Sequence, residues 1–342
     1  MDEIFTPPQQ PAEQKNNLSA LKTLLSLGWK RWLYLPRLLS SGEKTRLSVA
    51  GGLTAITLVF LTVRLVDRVT VPVPAVGGNF REGLVTEPRF VNPIFASSDT
   101  DRELVSLVFS KIIRYSPEDK PVMDLAESIE TSEDGRAYTV HLKREVRWHD
   151  GETLTADDVL FTIKAIQDPI YQSPLRANWQ GVVVEKLNDS TVRFNLRQPY
   201  APFIENLAVG ILPSHLWRRV PRETASLSDL NVKPVGSGPY RFSKFTRRED
   251  GTITSIVFER NNRYYSEGPY LKEIRFSFYS DEQRLVAAYR RNEIDGLAFP
   301  SASQVEELKE AEANLYELQF TKVFAVFMNT AVNQNLGRKS VR

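Results

Sequence analysis

Between Gly135 and Ile166 the chain changes its hydrophobic period once, and that change constrains the fold more than any other feature. Tyr138, Val140 and Leu142 alternate with Thr139, His141 and Lys143, the period of a half-buried strand. Beyond the Asp150-Gly151 turn, Val159, Leu160, Ile163 and Ile166 recur at helical spacing. Thr155 and Asp158 precede them as a capping box. Thr191 to Leu196 repeats the alternation after an Asn188-Asp189 turn, so two such strands can pair in one small sheet. Upstream, Thr100 with Glu103 reads as another capping box, with Leu104, Leu107, Val108 and Ile112 as its apolar stripe. Downstream, Ile274, Phe276 and Phe278 share one strand face, and Asp281 caps a helix carrying Leu285, Ala288 and Tyr289 before Ile294-Asp295-Gly296. Val305 and Leu308 lie on an acidic helix, and Phe320 to Met328 continues the pattern. Strand, helix and strand in succession from Leu271 onward predict an α/β second lobe with parallel pairing.

A second constraint is the run from Leu47 to Val63, 17 residues without a charge, continuing past Arg64 to Val66. About 20 such residues cross a hydrocarbon core of about 30 Å. Basic residues cluster before it, which places the N-terminus inside and the body outside. A cleaved signal peptide is the rival reading. The preceding segment is very long for an n-region and no convincing A-x-A site follows, so a retained anchor is favoured. Upstream, Leu18, Leu21, Leu25, Trp29 and Trp32 recur at helical spacing beside Lys22, Lys30 and Arg37. An interfacial helix on an anionic leaflet and a tail without a specific role both fit that pattern. Thr70 to Gly78 is a short spacer, stiffened by prolines and released by paired glycines.

Met1 to Arg46 carries seven Lys/Arg against four acids, leaving 37 basic against 38 acidic residues in the remainder. The body therefore has no electrostatic footprint for nucleic acid. The absence of cysteine excludes disulfides, thiolate metal sites and a cysteine nucleophile. His141, His149 and His215 are too far apart for an H-E-x-x-H zinc site, and no G-x-S-x-G elbow occurs. Asp157 and Asp158 are first-turn charges suited to the helix dipole rather than a catalytic pair. The expectation is a protein that is not an enzyme and uses no metal or other cofactor.

The run SEDGRAYTVHLKREVRWHDGETLTADDVLFTI resembles the signature of the family 5 solute-binding proteins, the extracytoplasmic receptors of bacterial peptide, nickel and related ABC importers. GSGPYRF at Gly236 to Phe242, RRNEIDGL around Asp295 and FAVFMNT ending at Thr330 resemble later landmarks of that family, in order. The resemblance covers roughly Asn79 to Arg342. It implies a two-lobed α/β periplasmic-binding-protein-like fold of type II, with an extra inserted subdomain, here preceded by one transmembrane helix. The corresponding division is a cytoplasmic tail 1–46, an anchor 47–66, a linker 67–78, a first lobe 79–270 with its insertion at about 99–199, and the start of a second lobe at 271–342. It also implies that the rest of the second lobe lies beyond Arg342, with the acidic residue that pairs with a peptide's amino terminus in peptide-binding members. The lipid-bearing cysteine that anchors many such proteins has no counterpart.

The candidate ligand contacts are Ser97, Ser98, Asp99, Gly236, Ser237 and the aromatic residues Tyr171, Trp179 and Tyr240. Each has a plainer reading. Ser97 to Asp99 suit a helix start, the glycine run suits a turn, and large aromatics suit a core. The implied partners are a peptide or other small solute, an ABC permease with its ATPase subunits, and membrane lipid. The implied place is the bacterial cell membrane, with the body extracellular or periplasmic. A tethered peptide-binding sensor without a permease is the alternative.

Overall fold

A computed structural model of the protein describes residues 40–71, 73–116, 118–298, 300–310 and 313–316. The interfacial-helix pattern at Leu18 to Trp32, the strand pattern at Phe320 to Met328 and the end of the chain lie outside these residues. The chain forms two units, Met1–Pro74 and Ala75–Arg342.

The first unit holds helix α1 (Ser41–Val69), longer than the 47–66 anticipated, and all its residues are exposed. By length and composition it is long and apolar enough to cross a membrane. Its 29 residues rise about 43 Å. The hydroxyls of Thr45, Thr54, Thr57 and Thr62 donate to carbonyls four residues back, so these four hydroxyls are satisfied within the helix.

The second unit is built on a five-stranded sheet. Its strands are β1 (Asn79–Val85), β8 (Tyr240–Arg247), β9 (Ile253–Arg260), β10 (Glu273–Tyr279) and β11 (Gly296–Leu297), in the spatial order β11-β1-β10-β9-β8. Strand β1 is parallel to both β10 and β11, whereas β9 is antiparallel to both of its neighbours. This corrects the expected boundary at 271. The Leu271 to Tyr279 stretch does not open a separate lobe; β10 fills the centre of the first sheet. The alternation of Ile274, Phe276 and Phe278 asks only for one buried face, and that sheet provides it. Parallel pairing after a helical crossover is as anticipated, since β10 and β11 both run parallel to the β1 strand between them.

Helix α2 (Asp99–Val108) packs against β8 on one side. Before β11, a further helix (Glu282–Arg290) covers β1 on the other side, where Leu285, Ala288 and Ile294 form a small cluster with Val85 and Tyr279. Gly83 allows that approach, because a Cβ there would stand 2.4 Å from Leu285 and 2.5 Å from Ile294.

A four-stranded antiparallel sheet forms from β4 (Ala126–Thr131), β5 (Ala137–Leu142), β6 (Val182–Asn188) and β7 (Thr191–Leu196), ordered β4-β5-β7-β6. The pairing of β5 with β7 is the one read from the two alternating stretches. Helix α3 (Ala156–Gln167) lies against this sheet. The Asp158 carboxylate accepts the Thr155 N–H at 2.8 Å and the Ser214 N–H at 2.8 Å. A short β2–β3 hairpin (Ile113–Tyr115 and Pro121–Met123) connects the two regions. One continuous apolar core runs beneath both larger sheets, from Leu84 and Phe276 to Val140 and Phe194.

The two regions are clamped at His149. The His149 N–H donates to the Gly236 carbonyl at 2.7 Å. Its Nδ1 accepts the Gly236 N–H at 3.1 Å, and Nε2 lies 3.1 Å from the Gly238 carbonyl. Because Nδ1 accepts, the proton sits on Nε2, which donates; a neutral imidazole satisfies both partners. Burial pushes the His149 pKa down to about 4. The glycines are required by packing. A Cβ on Gly236 would lie 1.9 Å from the Val108 carbonyl oxygen, and one on Gly238 would lie 2.7 Å from it.

A folded-state pKa below the unfolded value means that the unfolded chain binds the extra proton first. Stability from His149 is therefore full above about 6.5 and falls as the pH drops towards 4. Denaturant titrations followed by tryptophan fluorescence should show this decline. His149→Leu should remove the His149 share of the slope and cost about 1–3 kcal/mol at pH 7.

Candidate functional site

In α/β sheets, ligands lie beyond the carboxyl ends of parallel strands. Here that edge is formed by the ends of β1, β10 and β11. The N-terminus of α2 abuts it, for the Thr100 hydroxyl lies 3.5 Å from the Val85 carbonyl. The helix is capped by Ser98 rather than Thr100, because Asp101, not Glu103, reaches back to the cap. The Ser98 hydroxyl accepts the Asp101 N–H at 3.0 Å. The Asp101 carboxylate is fully buried and accepts four backbone N–H groups, from Arg89, Phe90, Ser97 and Ser98. It holds the whole loop between β1 and α2 in place. The sequence reading passed over this residue, although an acid three positions after a serine was the available signal.

The anticipated ligand residues divide between the two ends of α2, about 15 Å apart for a helix of ten residues. Ser97, Ser98 and Asp99 are exposed at the N-terminal end. Arg102 donates to the Ser97 carbonyl and to the Asp99 carboxylate, each at 2.7 Å. Tyr171 belongs with them, because its ring lies 6.3 Å from Phe95 and Ser173 donates to the Ile94 carbonyl at 2.6 Å. At the other end, Gly236 and Ser237 are buried in the His149 clamp.

Two aromatic residues have structural surroundings. Trp179 is fully buried and meets Phe194 and Phe203 at centroid distances of 6.0 and 5.8 Å. Tyr240 is buried as well, with its hydroxyl donating to the Leu271 carbonyl at 3.2 Å. Neither presents its ring to a solute in this structure.

Beside β1 and β11 lies a cavity of about 600 Å³ lined by Phe80, Glu82, Glu103, Tyr289, Leu297 and Tyr316, among others. Asp295 fixes its rim. The Arg81 guanidinium donates to both oxygens of Asp295, at 3.1 and 2.7 Å; the Arg81 N–H also donates to Asp295 Oδ2 at 2.9 Å, and the Asp295 N–H donates to the Arg81 carbonyl at 2.7 Å. Gly296 is needed there because a Cβ would meet the Phe80 ring at 2.7 Å.

Glu82 and Glu103 face one another across the cavity wall, and Glu103 Oε2 is buried with no hydrogen-bond partner among the described residues. Burial raises both carboxyl pKa values, and for Glu103 the Glu82 charge adds to it, so that Glu103 is pushed up to about 8. At neutral pH burial and the Glu82 charge favour a protonated Glu103 beside Glu82. Among the described residues no cluster of His, Asp and Glu has the geometry to hold a metal ion.

A folded-state pKa above the unfolded value gives stability that is full below the ordinary glutamate value of 4.5 and is lost progressively as the pH rises from there through about 8. Thermal melts between pH 5 and 8.5 should show Tm falling with pH, and Glu103→Gln should flatten that dependence.

Comparisons with known proteins place this geometry. Residues 120–342 match the family model described as bacterial extracellular solute-binding proteins, family 5 middle. An oligopeptide-binding protein of Bacillus subtilis, AppA, is 29% identical over 67% of this chain and 42% of its own length. The dipeptide-binding protein of Escherichia coli is 27% identical over 68% of this chain and 46% of its own. Among solved structures, NikZ of Campylobacter jejuni in complex with Ni(L-His) aligns with a TM-score of 0.61 at 30% identity, over 71% of this chain and 46% of that one. The AppA structure with a nonapeptide aligns at 0.63 and 28%, over 69% and 47%. The chain spans somewhat under half the length of these relatives. The fold is the mixed α/β fold of the periplasmic binding proteins, and this chain belongs to family 5 of the bacterial extracellular solute-binding proteins.

Proposed function

We propose that the protein is a membrane-tethered receptor that captures peptides outside the cell and delivers them to an ABC permease. The observation that carries the solute-binding part is the carboxyl edge of β1, β10 and β11, with the α2 N-terminus set against it, in a chain whose relatives include oligopeptide- and dipeptide-binding proteins. Ser97, Ser98 and Asp99, with Tyr171 behind them, are the residues proposed to meet the ligand at that edge. Helix α1 supplies the tether in this reading, with the body on the outer side. Closure on a ligand would shift the open–closed balance only by the ligand's differential affinity for the closed form. The relatives are named for binding, and each of the three histidines is engaged within the fold, with His141 Nε2 lying 3.5 Å from the Glu130 carboxylate. His149 is committed to the clamp, and His215 pairs with Asp150 at 2.7 Å.

Isothermal titration of the full chain in detergent with di-, tri- and nonapeptides tests the ligand. Saturable heat with at least one class is expected, weakened about tenfold or more when Asp99→Ala and Ser97→Ala are combined. No heat with any peptide class would overturn the peptide assignment. Affinity capture from gently solubilised membranes tests the coupling. A co-purifying permease supports transport, whereas peptide binding without one favours the tethered-sensor reading that helix α1 also permits.

A further inference from the structure

The backbone of Lys111 is held firmly, whereas its amine is not. Its N–H donates to Asp124 Oδ2 at 2.8 Å and its strand segment bridges to Gly210. The side chain is half-buried, and loss of water pulls the Lys111 pKa below the ordinary lysine range. The nearest carboxylate, Asp124, opposes that shift but offers no ion pair. Its Oδ2 takes the Lys111 N–H and its Oδ1 takes the Tyr265 hydroxyl at 2.5 Å. Among the described residues, nothing hydrogen-bonds to the ammonium. The adjacent Ser110 is 2% exposed, and its hydroxyl, beside the Tyr265 phenol, makes no close hydrogen bond among them. Both residues line a cavity of about 740 Å³, shared with Arg114, Asp124, Tyr264 and Glu267.

We propose that this cavity, beyond the C-terminal end of α2, is a second binding site whose ligand is a small singly charged carboxylate. Leaving a half-buried ammonium and a buried hydroxyl without acceptors is costly. A carboxylate meets both needs, accepting from Lys111 Nζ through one oxygen and from Ser110 Oγ through the other. The Arg114 guanidinium and the Tyr264 hydroxyl stand on the same wall as further donors. A cationic ligand finds no spare acceptor at the floor, because both oxygens of Asp124 are engaged. A dianion such as phosphate is disfavoured by the Asp124 and Glu267 carboxylates on the same lining. The site lies at the opposite end of α2 from Ser97 to Asp99 and stands or falls independently of the peptide reading.

The test uses the full chain in detergent, with lysines carrying ¹³C-dimethyl labels and the Lys111 resonance assigned through its loss in Lys111→Arg. Without added ligand it should titrate below the other lysines. Acetate should move that titration upward in a saturable way, since an anion favours the charged amine. Inorganic phosphate at matched ionic strength should move it less. Lys111→Met, shown folded by circular dichroism, should bind acetate at least about tenfold more weakly, the loss of one charge-assisted hydrogen bond. The proposal is overturned if acetate leaves the Lys111 titration unmoved. It is also overturned if phosphate is as effective as acetate, or if Lys111→Met binds acetate as the parent does.

Discussion

The contact on which the body depends is the neutral imidazole of His149 held among the backbone groups of Gly236 and Gly238. It joins three segments that are remote in sequence: the turn after β5, the loop before β8 and the end of α2. Protonation would replace an acceptor with a donor at Nδ1 and place N–H against N–H. The glycines matter for the same reason. They let the loop lie against the Val108 carbonyl, so that the Gly238 N–H donates to it at 2.8 Å. Asn261 adds a second donor to the Gly238 carbonyl at 3.0 Å, so the loop is bound on both sides.

Local features of the fold were legible because they are carried by neighbours in sequence. The alternation in β5, β7 and β10 and the Thr155 and Asp281 starts of their helices all follow from side-chain period and capping chemistry. The α2 start was displaced by two residues because Asp101 and Glu103 are both acids near a Ser/Thr cap, and local pattern does not choose between them. The membership of β10 was misplaced for a different reason. A strand pattern states that one face is buried but not which neighbours bury it, and parallel partners lie far along the chain.

The site was less legible than the fold. Ser97 to Asp99 lie exposed at the start of α2, where small polar residues are visible in sequence as cap candidates. The glycine loop was chosen for freedom of backbone, yet its glycines answer to the Val108 carbonyl at a distance no sequence spacing reveals. Trp179 and Tyr240 were weighed as contact surface, and their burial follows the commoner use of aromatic mass. Nothing in the sequence joins Glu82 to Glu103, which reads there only as a capping acid. They come from different elements, and only the packing of α2 over β1 makes them a pair.

The placement of β1 sets an order of events. It is the first strand of the body to leave the ribosome, yet it lies between two partners near the other end of the described body, and Arg81 meets Asp295 across 214 residues of chain. Closing so long a loop carries an entropic cost that short-range contacts do not help to meet. Until β10 and β11 have been made, both edges of β1 are open. A nascent chain therefore carries an unpaired strand soon after α1, in a position where another chain's strand is able to intrude. The long wait of β1 for its partners is thus a matter of folding fidelity.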